Sequence, residues 1–277
     1  MAVVVKDIET ENWKSAAEHR TPGISQRNLF DRGGEGRSFA CHISRFADQF
    51  RSPWHRHNFD QIRIGLIGET RYGPRDRLPP RTIGYFPEGT GYGPQSVDAP
   101  PSVQLIMQFD GNSGCGYLDL ESLDRGTSEL RALGTFASGY YTRHGEEKKT
   151  DAYQAAWERI RGRPMIYPEP RFNDAIYMNP DSFAWQRCDA GIARKTLGIF
   201  GENGTTIRMT RLDAGASMRF TSPKRTTVLF VLNGRIACQG SEIGEWSAIL
   251  IEDDESADVS GVAETSELVE ILLPVAS

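Results

Sequence analysis

The sequence predicts a mainly β protein with two similar β-rich halves and a short helical segment between them. Three observations support this prediction. A strand-like run enters a glycine turn within residues 62–69, and a second strand-like run enters an Asn-Gly turn within residues 226–238. Helical periodicity appears in the stretch between them, and 277 residues suffice for two modest domains with buried cores.

The first half begins its β-rich part with two closely spaced histidines, His55 and His57, in a chain that contains five. On an extended segment, side chains alternate with a period of two, so both rings and the amide of Gln61 are expected on one face. Two imidazole nitrogens and one amide oxygen that converge form a donor set for a single transition metal. The sequence therefore predicts a mononuclear metal site.

Two further motifs follow this pair. The strand 62–67 ends at Gly68, and after a loop rich in arginine and proline the chain reaches Pro87, Gly89 and Tyr92. Together with His55 and His57, this pattern resembles the cupin superfamily, whose small β-barrels carry an HxHxxxE motif with a glycine turn and then a PxG motif followed by histidine. Gln61 stands where the family usually has glutamate, and Tyr92 stands where it has the last histidine.

The resemblance implies one divalent transition metal, with iron as the first choice and manganese, nickel, zinc and copper as alternatives. Gln61 would supply a neutral oxygen in place of a carboxylate. Asp60 has the opposite parity and would reach the site only through a bulge. For Tyr92 the roles of ligand, proton donor and barrel-mouth aromatic stay open, and His42 on another predicted strand is an alternative ligand.

Arg63 follows Gln61 by two residues and is therefore expected on the same inward face. A buried guanidinium requires an anionic partner, which is either a substrate carboxylate or an internal acid. Arg63 and Tyr92 are the candidate catalytic residues. Four further side chains are candidates for the substrate pocket, and for the two glutamines the sequence leaves open which face of their strand points inward: Gln104, Gln108, Trp54 and Tyr85.

The second half repeats the turn but not the ligands. Aligning Gly234 with Gly68 places Thr221, Pro223 and Thr227 on the positions of the two histidines and the glutamine. None of these three can replace an imidazole cluster, so a barrel in this half is expected to be metal-free. The pair Asn233-Gly234 between two β-rich runs also predicts a hairpin.

The middle of the chain predicts helices. Thr150 can cap a helix over residues 151–161, because Tyr153, Trp157 and Ile160 share one face and Gly162 ends it. A second helical stretch covers about residues 120–133. With the cupin resemblance, the fold class is all-β: two double-stranded β-helix (jelly-roll) barrels with a helical insert, a bicupin. The expected division is 1–117, 118–185 and 186–277.

Composition restricts the partners. The formal net charge of −5 and the scattered arginines argue against nucleic acid, and no apolar run is long enough for a membrane span. Residues 1–13 carry no apolar core of the secretory kind, so we expect a cytoplasmic protein. The cysteines at 41, 115, 188 and 238 form no CxxC motif and are read as reduced thiols. A small-molecule substrate is the expected partner, and a homodimer is an open arrangement.

These observations predict a metal-dependent enzyme for a small carboxylated or aromatic molecule, first of all a dioxygenase or other oxidoreductase. Three alternatives stay open. One is Lewis-acid catalysis in the same site by an isomerase, lyase or hydrolase. The second is a bicupin that binds a small ligand without changing it, and the third is a purely structural bicupin.

Overall fold

The computed structural model describes residues 3–15, 23–34, 38–48, 50–262 and 264–275. Strands dominate it, as the sequence predicts, and they form two compact units. One unit is Trp13–Met178, and the other combines Met1–Asn12 with Asn179–Ser277. Among the described residues, no helix is long and apolar enough to cross a bilayer.

The first unit contains a barrel made of two antiparallel sheets, one of seven strands and one of four. The larger sheet, in order across it, is β15 (Ile176–Met178), β9 (Ile83–Phe86), β6 (Asp60–Ile67), β11 (Ser102–Phe109), β4 (Phe39–Phe46), β3 (Ile24–Arg32) and β2 (Lys14–Ser15). The smaller sheet is β5 (Arg51–Ser52), β10 (Gln95–Val97), β7 (Thr70–Arg71) and β8 (Arg77–Leu78).

Strand register determines which side chains face the barrel interior. On β11 every residue is buried, and its partners on β6 place Gln108 beside Gln61 and Ile106 beside Arg63. Cross-strand partners point to the same face of a sheet. The face of β11 that carries Gln104, Ile106 and Gln108 is therefore the inward face, which settles the choice that the sequence left open.

The glycine turn after β6 lies where the motif predicts it. Gly68 has a φ of +64°, and a Cβ on it would lie 2.4 Å from the carbonyl oxygen of Pro101. Only glycine fits both conditions. Beyond this turn the chain enters β7, which belongs to the smaller sheet, so Gly68 marks the point where the chain changes sheets.

The helical insert is part of the first unit. Its helices are α1 (Leu120–Arg131) and α2 (Ala152–Arg161), and its sheet consists of β12 (Gly134–Ala137), β13 (Tyr140–Arg143) and β14 (Lys149–Asp151). Asp151, rather than Thr150, caps α2, since its carboxylate accepts the backbone N–H of Gln154 at 3.0 Å. Gly162 ends α2 in the left-handed conformation, as predicted.

The second unit also contains a seven-stranded and a four-stranded sheet. The larger sheet is β1 (Val3–Lys6), β23 (Ala248–Ile251), β20 (Thr227–Asn233), β25 (Ser266–Leu272), β18 (Thr205–Leu212), β17 (Ile192–Phe200) and β16 (Gln186–Asp189). The smaller sheet is β19 (Ser217–Thr221), β24 (Ser256–Gly261), β21 (Ile236–Cys238) and β22 (Ser241–Ile243). Two short 3-10 turns, Ile8–Thr10 and Pro180–Ser182, complete this unit.

Two features of this unit differ from the sequence analysis. Asn233-Gly234 forms a turn, but β20 and β21 lie in different sheets, so the turn is a change of sheet and not a hairpin. The sequence predicts residues 1–117 as the N-terminal barrel, yet β1 pairs with β23 and belongs to the second unit.

The first unit differs from the prediction in one respect. The sequence predicts a separate segment for residues 118–185, whereas the helical insert groups with the first unit.

Candidate active site

The two histidines of the HxH motif lie side by side in the first unit. Their ring centroids are 5.0 Å apart, with the planes at 82° to each other. The backbone of His55 forms a two-bond bridge with Tyr92, through His55 N to Tyr92 O at 3.1 Å and Tyr92 N to His55 O at 3.0 Å. The PxG motif thus positions the HxH motif.

Neighbouring groups fix the orientation of each ring. Nδ1 of His55 lies 2.8 Å from the carbonyl oxygen of Pro53, an arrangement that places the proton on Nδ1 and the lone pair on Nε2. Metal-ligating histidines commonly donate their second ring N–H to a carbonyl in this way. His57 stacks on Phe59, with centroids 4.4 Å apart, and meets the edge of the Tyr153 ring at 5.9 Å.

Gln61 does not lie on one unbroken extended segment with the two histidines. The chain bends at residues 58–59 and β6 begins only at Asp60, so the alternation assumed for an extended segment is interrupted. Oε1 of Gln61 accepts hydrogen bonds from Arg63 at 2.9 Å and from Gln108 at 3.1 Å, and its Nε2 donates to Tyr92 at 2.8 Å. Both lone pairs of the amide oxygen are therefore in use.

Arg63 is buried, with 5% of its surface exposed, and each of its hydrogen-bond partners is neutral. It donates to Oε1 of Gln61, to the hydroxyls of Tyr72 (2.8 Å) and Tyr92 (3.2 Å), and to Gln95 (3.3 Å). Burial lowers the pKa of Arg63, but the hydroxyls of Tyr72 and Tyr92 outweigh this effect and the net shift is upward. The barrel interior thus holds a permanent positive charge that pairs with no carboxylate among the described residues.

A cavity of about 100 Å³ connects these groups. Its polar wall includes His55, His57, Arg63, Gln95 and Gln108. Its apolar wall comes from the barrel strands and the segment before β5, through Ile24, Phe46, Phe50 and Ile106. The insert closes one side with Gly139 and the start of α2 at residues 151–153. The cavity therefore offers one fixed cation, two imidazoles and an apolar surface to a small molecule.

The other predicted pocket residues lie in different places. Gln104 is buried beside the cavity and accepts the Tyr72 hydroxyl at 2.6 Å. Tyr92 accepts from Gln61 and Arg63 and does not line the cavity, so it acts on the site through Arg63. Trp54 is 59% exposed and lies against Gly91, outside the cavity.

Tyr85 faces the opposite side of the sheet. Its neighbour Phe86 pairs with Gln61, so parity turns Tyr85 outward, where its hydroxyl donates to Asp60 at 2.7 Å. Asp60 also accepts the backbone N–H of Glu88 at 2.8 Å, and its outward direction is the one that strand parity predicts. Burial raises the pKa of Asp60 to about 7, against the lowering effect of these two hydrogen bonds.

Solved structures provide the comparison, since no protein-family model matches the sequence and no curated protein matches it significantly. A candidate dioxygenase from Nostoc punctiforme superposes with a TM-score of 0.65 at 12% identity, over 99% of this chain and 83% of that one. HEPD from Streptomyces albus, with 2-hydroxyethylphosphonate and Fe(II) bound, gives 0.58 at 11% identity, over 99% and 77%. Oxalate decarboxylase from Bacillus subtilis, a protein with Mn(II) centres, gives 0.58 at 10% identity, over 100% and 79%.

These neighbours are cupin-fold proteins, and the match extends over both units of the chain. The chain has the bicupin fold. The fold class predicted from the sequence, all-β with two jelly-roll barrels and few helices, is thereby confirmed.

The donors of this bicupin fit a metal only in part. Two imidazoles on one cavity wall, with a carbonyl behind His55, suit a first-row divalent ion. Gln61 does not suit it as placed, because its oxygen already accepts two hydrogen bonds. The described residues contain no group of three or more His, Cys, Asp or Glu side chains that could hold a metal. His42 is fully buried on β4 and does not line the cavity.

The sequence does not predict three residues that contact Arg63 or line the cavity: Tyr72, Gln95 and Tyr153. Tyr72 and Gln95 hold Arg63, and both lie in the smaller sheet or beside it, which the chain reaches only after Gly68. The sequence offers one indication for Gln95, since it is a polar residue only three positions after Tyr92, close to the predicted site. Tyr153 was recognised as part of a helix face, but its place at the cavity depends on tertiary packing of the insert.

Proposed function

We propose that the N-terminal barrel is the active site of a metal-dependent enzyme for a small molecule with an anionic group, first of all a dioxygenase. The observation that carries this proposal is the buried guanidinium of Arg63, whose hydrogen-bond partners in the described part of the chain are all neutral and which shares a cavity with His55 and His57. A buried charge of this kind is costly unless a counter-ion reaches it. A substrate carboxylate supplies that counter-ion.

In this proposal His55 and His57 hold a divalent metal through one ring nitrogen each. Iron is the first choice and manganese the second, since two of the neighbours contain these metals. The bound metal would supply Lewis acidity and, for iron, the electrons for chemistry with O₂. Positions not taken by the two imidazoles are left for water and substrate, the open arrangement of catalytic metal sites.

The protein side chains provide orientation. The Nε–H of Arg63, which has no hydrogen-bond partner among the described residues, donates to the anionic group. Nη1 and Nη2 donate to Tyr72, Gln95, Gln61 and Tyr92, which hold the guanidinium in a fixed plane. Phe46, Phe50 and Ile106 contact the apolar part of the substrate and exclude water from it. Fixing both ends of a small molecule in this way brings its reacting carbon to one position beside the imidazoles.

Metal analysis tests the proposal. Protein purified without chelator is expected to contain close to one equivalent of iron or manganese, and His55→Ala or His57→Ala is expected to remove most of it while the fold is kept. His144→Ala, on an exposed loop, is the matched control and should retain the metal. Equal metal content in all four proteins would contradict the assignment.

Oxygen consumption then separates the reaction classes. A dioxygenase consumes O₂ together with its substrate, whereas Lewis-acid isomerisation, elimination or hydrolysis proceeds at the same rate without O₂. Screening small carboxylates for ligand-dependent stabilisation identifies substrates to use in that assay. A ligand that binds but is never turned over would favour the non-catalytic binding barrel.

A further inference from the structure

The two positions where the chain departs from the cupin ligand pattern contact the same guanidinium. Arg63 Nη2 donates to Gln61 Oε1 at 2.9 Å and to Tyr92 Oη at 3.2 Å. Gln61 also donates to Tyr92, so the three side chains form a closed triangle. The third and fourth ligand positions of the pattern therefore serve to hold a cation of the chain itself.

This arrangement has an electrostatic consequence for the metal. A divalent ion on His55 and His57 gains no negative charge from these two ligands, because both imidazoles are neutral. Asp151, the one carboxylate among the described residues that line the cavity, is engaged as the cap of α2. The ion also shares its cavity with the fixed positive charge of Arg63. Like charges in a partly desolvated interior repel each other more strongly than in water. Neutral donors and a nearby cation together weaken the binding of the metal alone.

An anion in the cavity adds an attraction to the divalent ion and an attraction to Arg63, which offset the repulsion between these two positive charges. A carboxylate that lies between Arg63 and the metal attracts both, and it neutralises the guanidinium that otherwise repels the ion. We propose that the divalent metal and a small substrate carboxylate bind this barrel cooperatively, each raising the affinity of the other. This inference rests on the proposed function, because it requires the metal on His55 and His57. By linkage, the two affinities must rise by the same factor.

The cavity also restricts the carboxylate. A volume of about 100 Å³ with walls from Phe46, Phe50 and Ile106 suits a short acid with an apolar tail. A neutral amide of the same shape lacks the charge that the coupling requires. Propionate and propionamide are therefore a matched pair of probes, and neither chelates a metal strongly in solution.

The experiment titrates Mn(II) into metal-depleted full-length protein at constant ionic strength, with free Mn(II) measured by electron paramagnetic resonance. Saturating propionate is expected to raise the Mn(II) affinity by about tenfold or more, within the usual range of binding coupling, and propionamide should leave it unchanged. In the reverse titration, saturating Mn(II) should raise the propionate affinity by the same factor.

Two variants identify the source of the coupling. Arg63→Met should bind Mn(II) alone more tightly than the natural chain and lose the propionate effect. Gln61→Glu places an internal carboxylate beside Arg63 and should lose the effect as well, which keeps the test available if Arg63→Met fails to fold. Arg219→Met, which changes an exposed arginine of the other unit, should behave like the natural chain.

The outcomes separate the two proposals. Mn(II) binding that depends on His55 and His57 but ignores propionate would overturn the coupling and leave the proposed metal site standing. A propionate effect that persists in Arg63→Met would also overturn the coupling. Absence of histidine-dependent Mn(II) binding, with and without propionate, would overturn the proposed function together with this inference.

Discussion

Arg63 in the first barrel and Glu270 in the second are both buried charges, but their surroundings differ. In the first unit, Arg63 and Asp60 lie on opposite faces of β6, so the sheet separates the buried cation from the buried acid. In the second unit, Glu270 on β25 is 1% exposed and is bound by Arg194 through contacts of 3.2 Å and 2.7 Å. Charges that are paired internally stabilise a fold, whereas a separated cation stays available for a ligand.

The strand pairings show where each buried charge lies in its barrel. Arg63 stands opposite the apolar Ile106 in the first unit, and the apolar Leu229 stands opposite Glu270 in the second. In the first barrel the buried charge lies on β6 and its cross-strand partner on β11 is apolar. In the second barrel the buried charge lies on β25 and its cross-strand partner on β20 is apolar. In the second unit the apolar cluster that includes Leu212, Leu229 and Leu268 fills the rest of the interior. The second barrel has no histidine, and its buried acid Glu270 is held by Arg194 and Arg208.

The largest expected effect comes from breaking the internal pair of the second barrel. Glu270→Gln leaves Arg194 and Arg208 without their acid and should lower the free energy of unfolding by about 3 kcal/mol, the usual cost of removing one partner of a buried pair. Urea unfolding followed by circular dichroism measures it. Asp258→Asn, in the exposed pair with Arg219, is the control and should cost less than about 0.5 kcal/mol.

The second largest expected effect is on the pH dependence of stability, through the buried carboxyl group of Asp60 in the first barrel. Burial raises the pKa of Asp60 to about 7, so the native state holds its proton at pH values where the unfolded chain has lost it. The resulting stabilisation is complete at low pH and is lost as the pH rises through about 7. Between about pH 5 and about pH 8 the natural chain should therefore lose roughly 2 kcal/mol that Asp60→Asn does not lose.

Unfolding free energies at several pH values test this prediction, with Asp258→Asn as an exposed control that should follow the natural profile. Identical pH profiles for Asp60→Asn and the natural chain would show that Asp60 is not protonated in the native state near neutral pH. In that case β6 would carry a buried charge on each face, the guanidinium of Arg63 on one and the carboxylate of Asp60, within reach of the Arg171 charge, on the other.

Features of the fold and the site that depend on local sequence can be predicted, whereas features that depend on pairing between distant strands cannot. The glycine turn at Gly68 and the helix stop at Gly162 are local, and both were predicted. Gln61 was placed with the histidines on the assumption of an unbroken strand, which the bend at residues 58–59 invalidates.

Register explains the remaining differences. The inward face of β11 and the outward direction of Tyr85 follow from pairings with β6, and no single-strand pattern contains that information. The turn at Asn233-Gly234 is a local feature, and the sequence predicts it correctly. The two strands that flank it belong to different sheets, so the predicted hairpin is a change of sheet.

The smallest expected effect is on stability in the first barrel. Arg63→Met removes a charge that forms no ion pair with the residues the structure describes, while Gln61 keeps its bond from Gln108 and Tyr72 keeps its bond to Gln104. The free energy of unfolding should change by less than about 1 kcal/mol, well below the effect of Glu270→Gln. A loss as large as that of Glu270→Gln would mean that Arg63 is a structural residue.

The most direct test is an anomalous difference map from crystals of the full chain grown with Mn(II) and propionate. We predict one strong peak within bonding distance of a ring nitrogen of His55 and of His57, with the propionate carboxylate between that peak and the guanidinium of Arg63. A peak bound by Gln61 with Arg63 turned away, or no peak at the two imidazoles, would contradict the proposed site.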